Sequence, residues 1–376
     1  MTKDARRSAD YRVRRSPHLV FYWRRGALVA RNYATGEAAR IAPSVCTLLD
    51  FCAGWKSIAE IPRAAGFSNR LQPLIERLVE CSLLERSDRP RDPRVEAMSA
   101  LDPWNPEAGF FHTATKDVRF WSAAESARRA AQTASQSPMP SPLKRYRGAT
   151  TINLPRPNRD GEFASVVLAR RTWRRFSEKP ITLAELATVL GLSAGVQYWV
   201  DVGPRELPLK TSPSGGARHP VELYVVARDV AGLRPALYHY ASGRHALERI
   251  GAPPASAQLR SYVPGSGYFA KASALVFFTA VLKRQLWRYP YSRAYRASLI
   301  EAGHVCQTFC LAGTALNLAT FSVMALADSR IESDLGIDGI AETVLYAAGL
   351  GRRPPRSSWA PTPKGVLPIR PNRFLR

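Results

Sequence analysis

The sequence is short of cysteine, short of acid, and without one long uninterrupted apolar run. Its five cysteines (Cys46, Cys52, Cys81, Cys306 and Cys310, in 376 residues) form no CxxC pair and no His/Cys cluster of zinc spacing, so no metal site is expected. An odd count with no secretion signal fits buried thiols in a reducing cytoplasm. Cys306 and Cys310 lie four apart on one helical face, where packing is favoured over redox chemistry. The basic start, MTKDARRSADYRVRR, has no apolar h-region behind it, so a cytoplasmic location is expected. Residues 305–327 carry no charge, but Gln307, Thr308, Thr314, Asn317, Thr320 and Ser322 interrupt them. A buried helix followed by a buried strand accounts for that stretch better than a membrane span.

Acid is outnumbered, with 30 Asp and Glu against 54 Lys and Arg and a formal charge of +24. Most of the excess is arginine, whose planar fork of donors matches phosphates and carboxylates. A field of this sign draws anionic partners of any class, and it is equally the sign of a solvated basic surface. Hydrophobic residues at 45% put the chain among folded globular proteins.

The length suits two domains. From His18 to Asp88, HLVFYW, ALVARNY and EAARIA read as three strands turned at Arg25-Gly26 and Thr35-Gly36. Three helices are expected next: one capped by Ser44, one opened by the capping box Ser57-Ile-Ala-Glu60 and ending near Gly66, and one opened by Ser68 with Leu71, Leu74, Leu78 and Cys81 on one face. That order is the order of a winged helix, expected over residues 1–90. Residues 91–160, rich in Pro, Ala and Ser, read as a connection with one helix around 122–132. Residues 161–376 read as mixed α and β. The box Thr182-Leu-Ala-Glu185 opens a helix before Gly191; VELYVVAR, LYHY, ALVFFTAVL, FSVMAL and TVLYAAGL read as strands, and residues 294–318 as a long helix. Its small residues, Ala297, Ala302, Gly303, Ala312, Gly313 and Ala315, permit close approach within the subunit or across a dimer.

Two constellations carry chemistry. Residues 170–176, RRTWRRF, set four guanidiniums and a hydroxyl within seven residues, which suits a phosphate and is also the pattern of a solvated basic segment. Residues 211–220, TSPSGGARHP, lead straight into a strand. The paired glycines bring backbone N–H groups up to a ligand or make a tight turn, and the spacing matches neither a Walker loop nor GxGxxG.

RRTWRRF, SPSGGARHPVELYVVAR, RAYRASLIEAGH and LYAAGLGRRP, in this order over about 220 residues, resemble the successive motifs of the SagB-type dehydrogenases, a branch of the nitroreductase family. The resemblance implies an α+β nitroreductase-like FMN-binding fold, a mixed sheet flanked by helices, behind the small winged-helix domain. It implies a homodimer with FMN at the subunit interface, and oxidation of thiazolines and oxazolines to azoles on ribosomally made peptides. By motif, Arg170, Arg171, Thr172 and Arg174 hold the phosphate, the ribityl chain and a ring edge. Pro213, Ser214, Gly215 and Gly216, from the partner subunit, line the ring, and Arg352 and Arg353 are further phosphate candidates.

Two departures bear on the chemistry. Where relatives have a Lys-Tyr pair the sequence reads Trp287-Arg288-Tyr289-Pro290-Tyr291, which leaves Tyr289 first and Tyr291 second as catalytic base, each equally a packing residue. Asn317 and Ala319 stand where relatives have glycines. Glu301 and His304, one turn apart, are expected to satisfy each other. His219 faces the substrate or merely serves its turn. The N-terminal domain resembles, by architecture, the PqqD-like modules that dock leader peptides. The expected partners are therefore a precursor peptide with an acidic leader and partner modification enzymes, with packing second and nucleic acid third. The rivals are an NAD(P)H-dependent nitro or quinone reductase and an inactive basic peptide-binding scaffold.

Overall fold

Alternation of charge and β-branched apolar residues opens the chain. The computed structural model describes residues 11–61, 71–117, 122–136, 160–202 and 205–355. They fall into two compact units: one takes the residues up to 116 with 281–297 and 336–343, the other 117–280, 298–335 and the residues from 344.

In the first unit β1 (Arg12–Arg15), β2 (Leu19–Arg24), β3 (Ala27–Asn32) and β4 (Ala38–Arg40) precede α1 (Pro43–Phe51), β5 (Lys56–Ser57), α2 (Leu71–Glu80) and β6 (Leu84–Arg86). β2, β3 and β4 make the expected three-stranded sheet, turned at Arg25-Gly26, where both residues have positive φ. A second sheet, β5-β1-β6, was not legible in RVRR, because only Val13 of that strand is fully buried. Pro43 at the first helical position, with Ala42 as cap, starts α1 rather than Ser44. The Ser57/Glu60 capping box forms, but on a single 3₁₀ turn, Ile58–Glu60. Gly66 and Ser68 lie outside the described residues. Val13, Leu48, Leu49, Ile75, Leu78 and Leu83 form this unit's core.

Within the stretch expected as a connection, α3 (Pro93–Met98) and α4 (Pro106–Ala114) are ordered and bury Val95, Met98 and Trp104. His112 on α4 is enclosed. Its Nε2 lies 3.1 Å from the Gly339 carbonyl and its Nδ1 3.0 Å from the Tyr295 hydroxyl. A carbonyl only accepts, so the proton sits on Nε2 and the tyrosine donates to Nδ1.

The second unit holds α5 (Ala123–Gln136), α6 (Glu162–Ala169), β7 (Ile181–Thr182), α7 (Leu183–Ala194), β8 (Val196–Val202), β9 (Arg205–Lys210), β10 (Val221–Ala227), β11 (Val230–Ala231), β12 (Ala236–Ala241), β13 (Ala246–Gly251), α8 (Ser256–Tyr262) and β14 (Ala274–Val281). After α9 (Leu282–Arg288), which groups with the first unit, come α10 (Arg293–Ala315), β15 (Leu318–Val323), α11 (Asp328–Leu335) and β16 (Glu342–Arg352). The central sheet runs β13-β12-β10-β14-β16-β15. β10 and β14 pair antiparallel from Val221↔Ala280 to Ala227↔Ala274, and β15 with β16 from Leu318↔Arg352 to Val323↔Ala347.

Strand β14 is buried on both faces, and Val276, Phe278 and Phe309 centre the core. The strand read as FSVMAL begins three residues earlier and stops at Val323; Met324 is 76% exposed. α7 continues through Gly191 to Ala194, and its Thr182/Glu185 capping box forms as expected. The small residues of α10 serve the sheet first: a Cβ on Gly313 would stand 2.5 Å from Thr320 Cγ2, whereas Gly303 meets open space. Among the described residues no helix is long and apolar enough to cross a membrane, and no group of three His, Cys, Asp or Glu is placed to hold a metal ion.

Two outcomes are expected. A Cβ on Gly349 would overlap the Phe321 ring opposite it, so Gly349→Ala should cost about 1–3 kcal/mol by urea unfolding; an unchanged midpoint refutes the packing. Burial, helped by Lys116, pushes His112 down to about 4 against the opposing pull of the Gly339 carbonyl and Asp338. The unfolded chain therefore takes up a proton first. Stability present above pH 6.5 should fall by about 3 kcal/mol as pH drops to 4. His112→Gln should lose most of that pH-dependent part, and an identical pH profile in the variant rules it out.

Candidate active site

The arginine segment is extended because the edge of the central sheet holds it. Thr172 makes a parallel bridge with Thr320, the Trp173 N–H donates to the Thr320 carbonyl at 2.8 Å, and the Ser177 N–H donates to Arg352 O at 3.0 Å. Phe176 lies on Gly351, where a Cβ would come within 2.7 Å of its Cδ1, and 5.9 Å from the Phe321 ring. The last motif's Gly351 thus seats the first motif's Phe176.

The arginines of this strap differ in what they touch. Arg171 gives Nη1 to the carbonyls of Leu168 (2.9 Å) and Arg170 (2.7 Å), while its buried Nε has no hydrogen-bond partner. Arg174 is exposed, with its guanidinium 5.7 Å from the Tyr268 ring centroid. Among the described residues no carboxylate pairs with Arg170, Arg171 or Arg174. A set of guanidiniums with an orphaned buried donor and the Thr172 hydroxyl fits an anionic, phosphate-bearing cofactor.

Arg352 and Arg353 have structural employment. Arg352 forks onto Glu185 at 2.7 and 2.8 Å and reaches Pro180 O at 3.1 Å. Burial favours the neutral acid at Glu185, but the bonds from Arg352 and Thr182 hold it below the usual range. Arg353 ties off the end of α10 through Leu318 O (3.1 Å), Asn317 Oδ1 (2.5 Å) and Thr314 O (3.4 Å), 5.3 Å from the Trp173 ring centroid. Asn317 itself has φ 56°, a conformation that a glycine adopts more readily.

The glycine loop protrudes with Pro213, Gly215 and Gly216 exposed, and Gly216, Ala217 and His219 all have positive φ. His219 turns inward, 6% exposed, with Nε2 3.0 Å from Pro208 O. It does not face a substrate. Glu301 and His304 do not satisfy each other: Glu301 is buried against Ser214 and Val221, and His304 Nδ1 reaches Pro213 O at 3.4 Å. Cys306 and Cys310 are free thiols in the core.

Tyr289 and Tyr291 belong to the first unit, with rings 5.9 Å apart. Tyr289 is half-buried beside Arg288, and Tyr291 is 50% exposed. The neighbouring buried pair Tyr295–His112 was missed, because α4 lies in a stretch without apolar periodicity, far from Tyr295 in sequence.

Residues 167–352 match the profile of the nitroreductase family, whose members bind FMN. The chain is 34% identical over 188 residues to MJ1384 of Methanocaldococcus jannaschii, a protein named as a nitroreductase, covering 50% of this chain and 89% of that protein. It is 33% identical over 144 residues to the trifolitoxin-processing protein TfxB of Rhizobium leguminosarum bv. trifolii, covering 37% of this chain and only 38% of TfxB. A chain in the structure of the E. coli microcin synthetase McbBCD complex with truncated pro-MccB17 superposes with a TM-score of 0.49 at 19% identity, over 70% of this chain and 95% of its own. With its arginine strap and six-stranded sheet inside the matched region, this chain belongs to the nitroreductase family.

Proposed function

We propose that the chain is an FMN-dependent oxidoreductase that modifies a ribosomally made peptide, converting thiazoline or oxazoline rings to azoles. The observation that carries the cofactor half is the strap itself, in which Arg170, Arg171 and Arg174 have no acidic partner among the described residues and Arg171 Nε is buried without an acceptor. The likeness to TfxB supports the substrate half.

FMN, when bound, supplies a two-electron acceptor whose electrons pass on to dioxygen. Arg170, Arg171 and Thr172 hold its phosphate end, and Arg174 adds positive charge where reduction puts negative charge. Pro213, Ser214, Gly215 and Gly216 offer an exposed, backbone-rich surface to the ring. Arg352 serves this site indirectly, by locking Glu185 and the start of α7. Aromatising an azoline removes a proton from Cα and a hydride from Cβ; Tyr289, and after it Tyr291, is the proposed proton acceptor.

The first unit is proposed to dock the peptide. Among the described residues β4 pairs with β3 alone, which leaves its other edge open beside a cavity of about 780 Å³ lined by Ile41, Val45, Leu74 and Leu78. A second cavity on the same sheet, of about 290 Å³, is lined by Arg24, Arg25, Arg31 and Arg40 with Tyr22. An extended peptide adding to that edge, with acidic side chains among these arginines, suits both. A homodimer is proposed as well, since α6 exposes Phe163 (77%) and Val167, and α10 exposes Leu299 and Ile300 (59%).

The purified protein should be yellow and release FMN on acid treatment. Arg171→Ala with Arg174→Ala should weaken FMN at least about tenfold, as expected for loss of charge-assisted hydrogen bonds. Undiminished flavin in the double variant refutes the assignment. Arg352→Ala should instead lower thermal stability, by about 1–2 kcal/mol for its partly exposed pair, with FMN affinity kept within about threefold. The 34% identity to MJ1384 favours a second reading, an NAD(P)H-driven reductase. Rapid bleaching of the flavin by NAD(P)H supports that reading, and bleaching by an azoline peptide alone supports ours.

A further inference from the structure

Glu301 stands out as a carboxyl only 4% exposed in the middle of α10. Ser214 and the Val221 N–H lie beside its oxygens, and Oε1 lies 3.8 Å from His219 Nδ1. Ser214 Oγ in turn accepts the His219 N–H at 2.9 Å. One and two turns further along the same helix face, His304 reaches Pro213 O and Thr308 Oγ1 lies 3.3 Å from Ser212 Oγ. The loop between these anchors carries positive φ at Gly216 (62°), Ala217 (51°) and His219 (43°). Non-glycine residues hold such angles only where their surroundings over-determine them.

The His219 proton is on Nε2, because that atom faces the Pro208 carbonyl. Nδ1 therefore stands as an acceptor 3.8 Å from a buried carboxyl, within ion-pair reach, and a proton held by the pair relieves the repulsion of two acceptors out of water. We propose that Glu301 is the positioning residue of the flavin loop: together with His219 it holds one shared proton, and so fixes Pro213, Ser214, Gly215 and Gly216 in the conformation that receives the isoalloxazine. This rests on the FMN reading above. The groups facing the carboxyl are His219 and Ser214 from the loop, Lys210 from β9 and His304 from α10. Burial raises the Glu301 carboxyl above its usual range, against Ser214, Lys210, the Val221 N–H and His304, in keeping with a retained proton.

The test compares full-length wild type, Glu301→Ala and Glu301→Gln by amide hydrogen exchange over residues 211–221 without flavin, and by FMN titration from pH 5.5 to 9. Glu301→Ala should exchange the loop at least about tenfold faster and bind FMN about 10–30-fold more weakly, with its far-UV spectrum unchanged. In Glu301→Gln the amide oxygen still accepts and the NH₂ donates to His219, so at the acid end of the range both readouts should stay within about threefold of wild type. Wild type should lose FMN affinity as pH rises through titration of the pair, and Glu301→Gln should not. Wild-type exchange and affinity in Glu301→Ala overturn the proposal, and so does a looser loop that binds FMN as before. Should Glu301→Ala misfold, Glu301→Gln decides, because a pH profile equal to that of wild type overturns the shared proton. A wild type that binds no FMN overturns the flavin reading instead, and the exchange arm, which needs no flavin, tells the two failures apart.

Discussion

An arginine-rich segment has every electrostatic reason to stay solvated and unshaped, and what prevents it here is the seating of Phe176 on Gly351 of β16. β16 offers Gly349 to Phe321 and Gly351 to Phe176, so two rings pack against that strand where a Cβ would displace them. The backbone bonds from Trp173 to Thr320 and from Ser177 to Arg352 then fix the register of the strap. Gly313 repeats the device one layer back, letting α10 press on Thr320. Strap, strand and helix are thus stacked through three glycines, and the direction in which Arg171 and Arg174 leave the surface follows from that stack.

α10 is the second organising element, because each of its faces has one employment. Val305, Cys306, Phe309 and Ala312 go into the core, and Glu301, His304 and Thr308 go to the glycine loop. Its last turn hands the carbonyl of Thr314 to Arg353, which also takes that of Leu318 at the start of β15. At 1.5 Å per residue, the loop anchor at His304 and the Arg353 anchor at Thr314 are set about 15 Å apart on a single rigid rod. Relative movement of the loop and the chain end is therefore costly, which is what a site assembled from remote segments requires.

Legibility in the sequence followed the range of the interaction. The Thr182/Glu185 box, the Arg25-Gly26 turn and the apolar run of β14 are set by neighbours a few residues away, and they were readable. FSVMAL was displaced because β16 pairs with Leu318 to Val323, and pairing outweighs local propensity. RVRR hid a strand because its alternation reaches the core through Val13 alone. The motifs marked the strap and the loop, yet Arg352 was read for phosphate while its partner Glu185 lies 167 residues away. Glu301 was paired with its helical neighbour His304, although burial sends it to the loop. Such partnerships are decided by tertiary packing, and no spacing rule contains them.

The surplus of arginine makes that distinction functional. Arg14, Arg86, Arg94 and Arg352 each spend their charge on an acid of the same chain, on Glu85, Asp88, Asp92 and Glu185. With 30 acids against 54 bases the acids cannot neutralise every base. Among the described residues, Arg170, Arg171 and Arg174 stand on the strap in one unit without a paired carboxylate, and Arg24, Arg25, Arg31 and Arg40 line the cavity of β2, β3 and β4 in the other. Like charges held close by the fold repel, so each cluster raises the free energy of the unliganded protein and lowers it again when an anion arrives. On the proposed reading one composition serves two sites for two anions, and the fold, by choosing which arginines meet an acid, sets where the unneutralised charge lies.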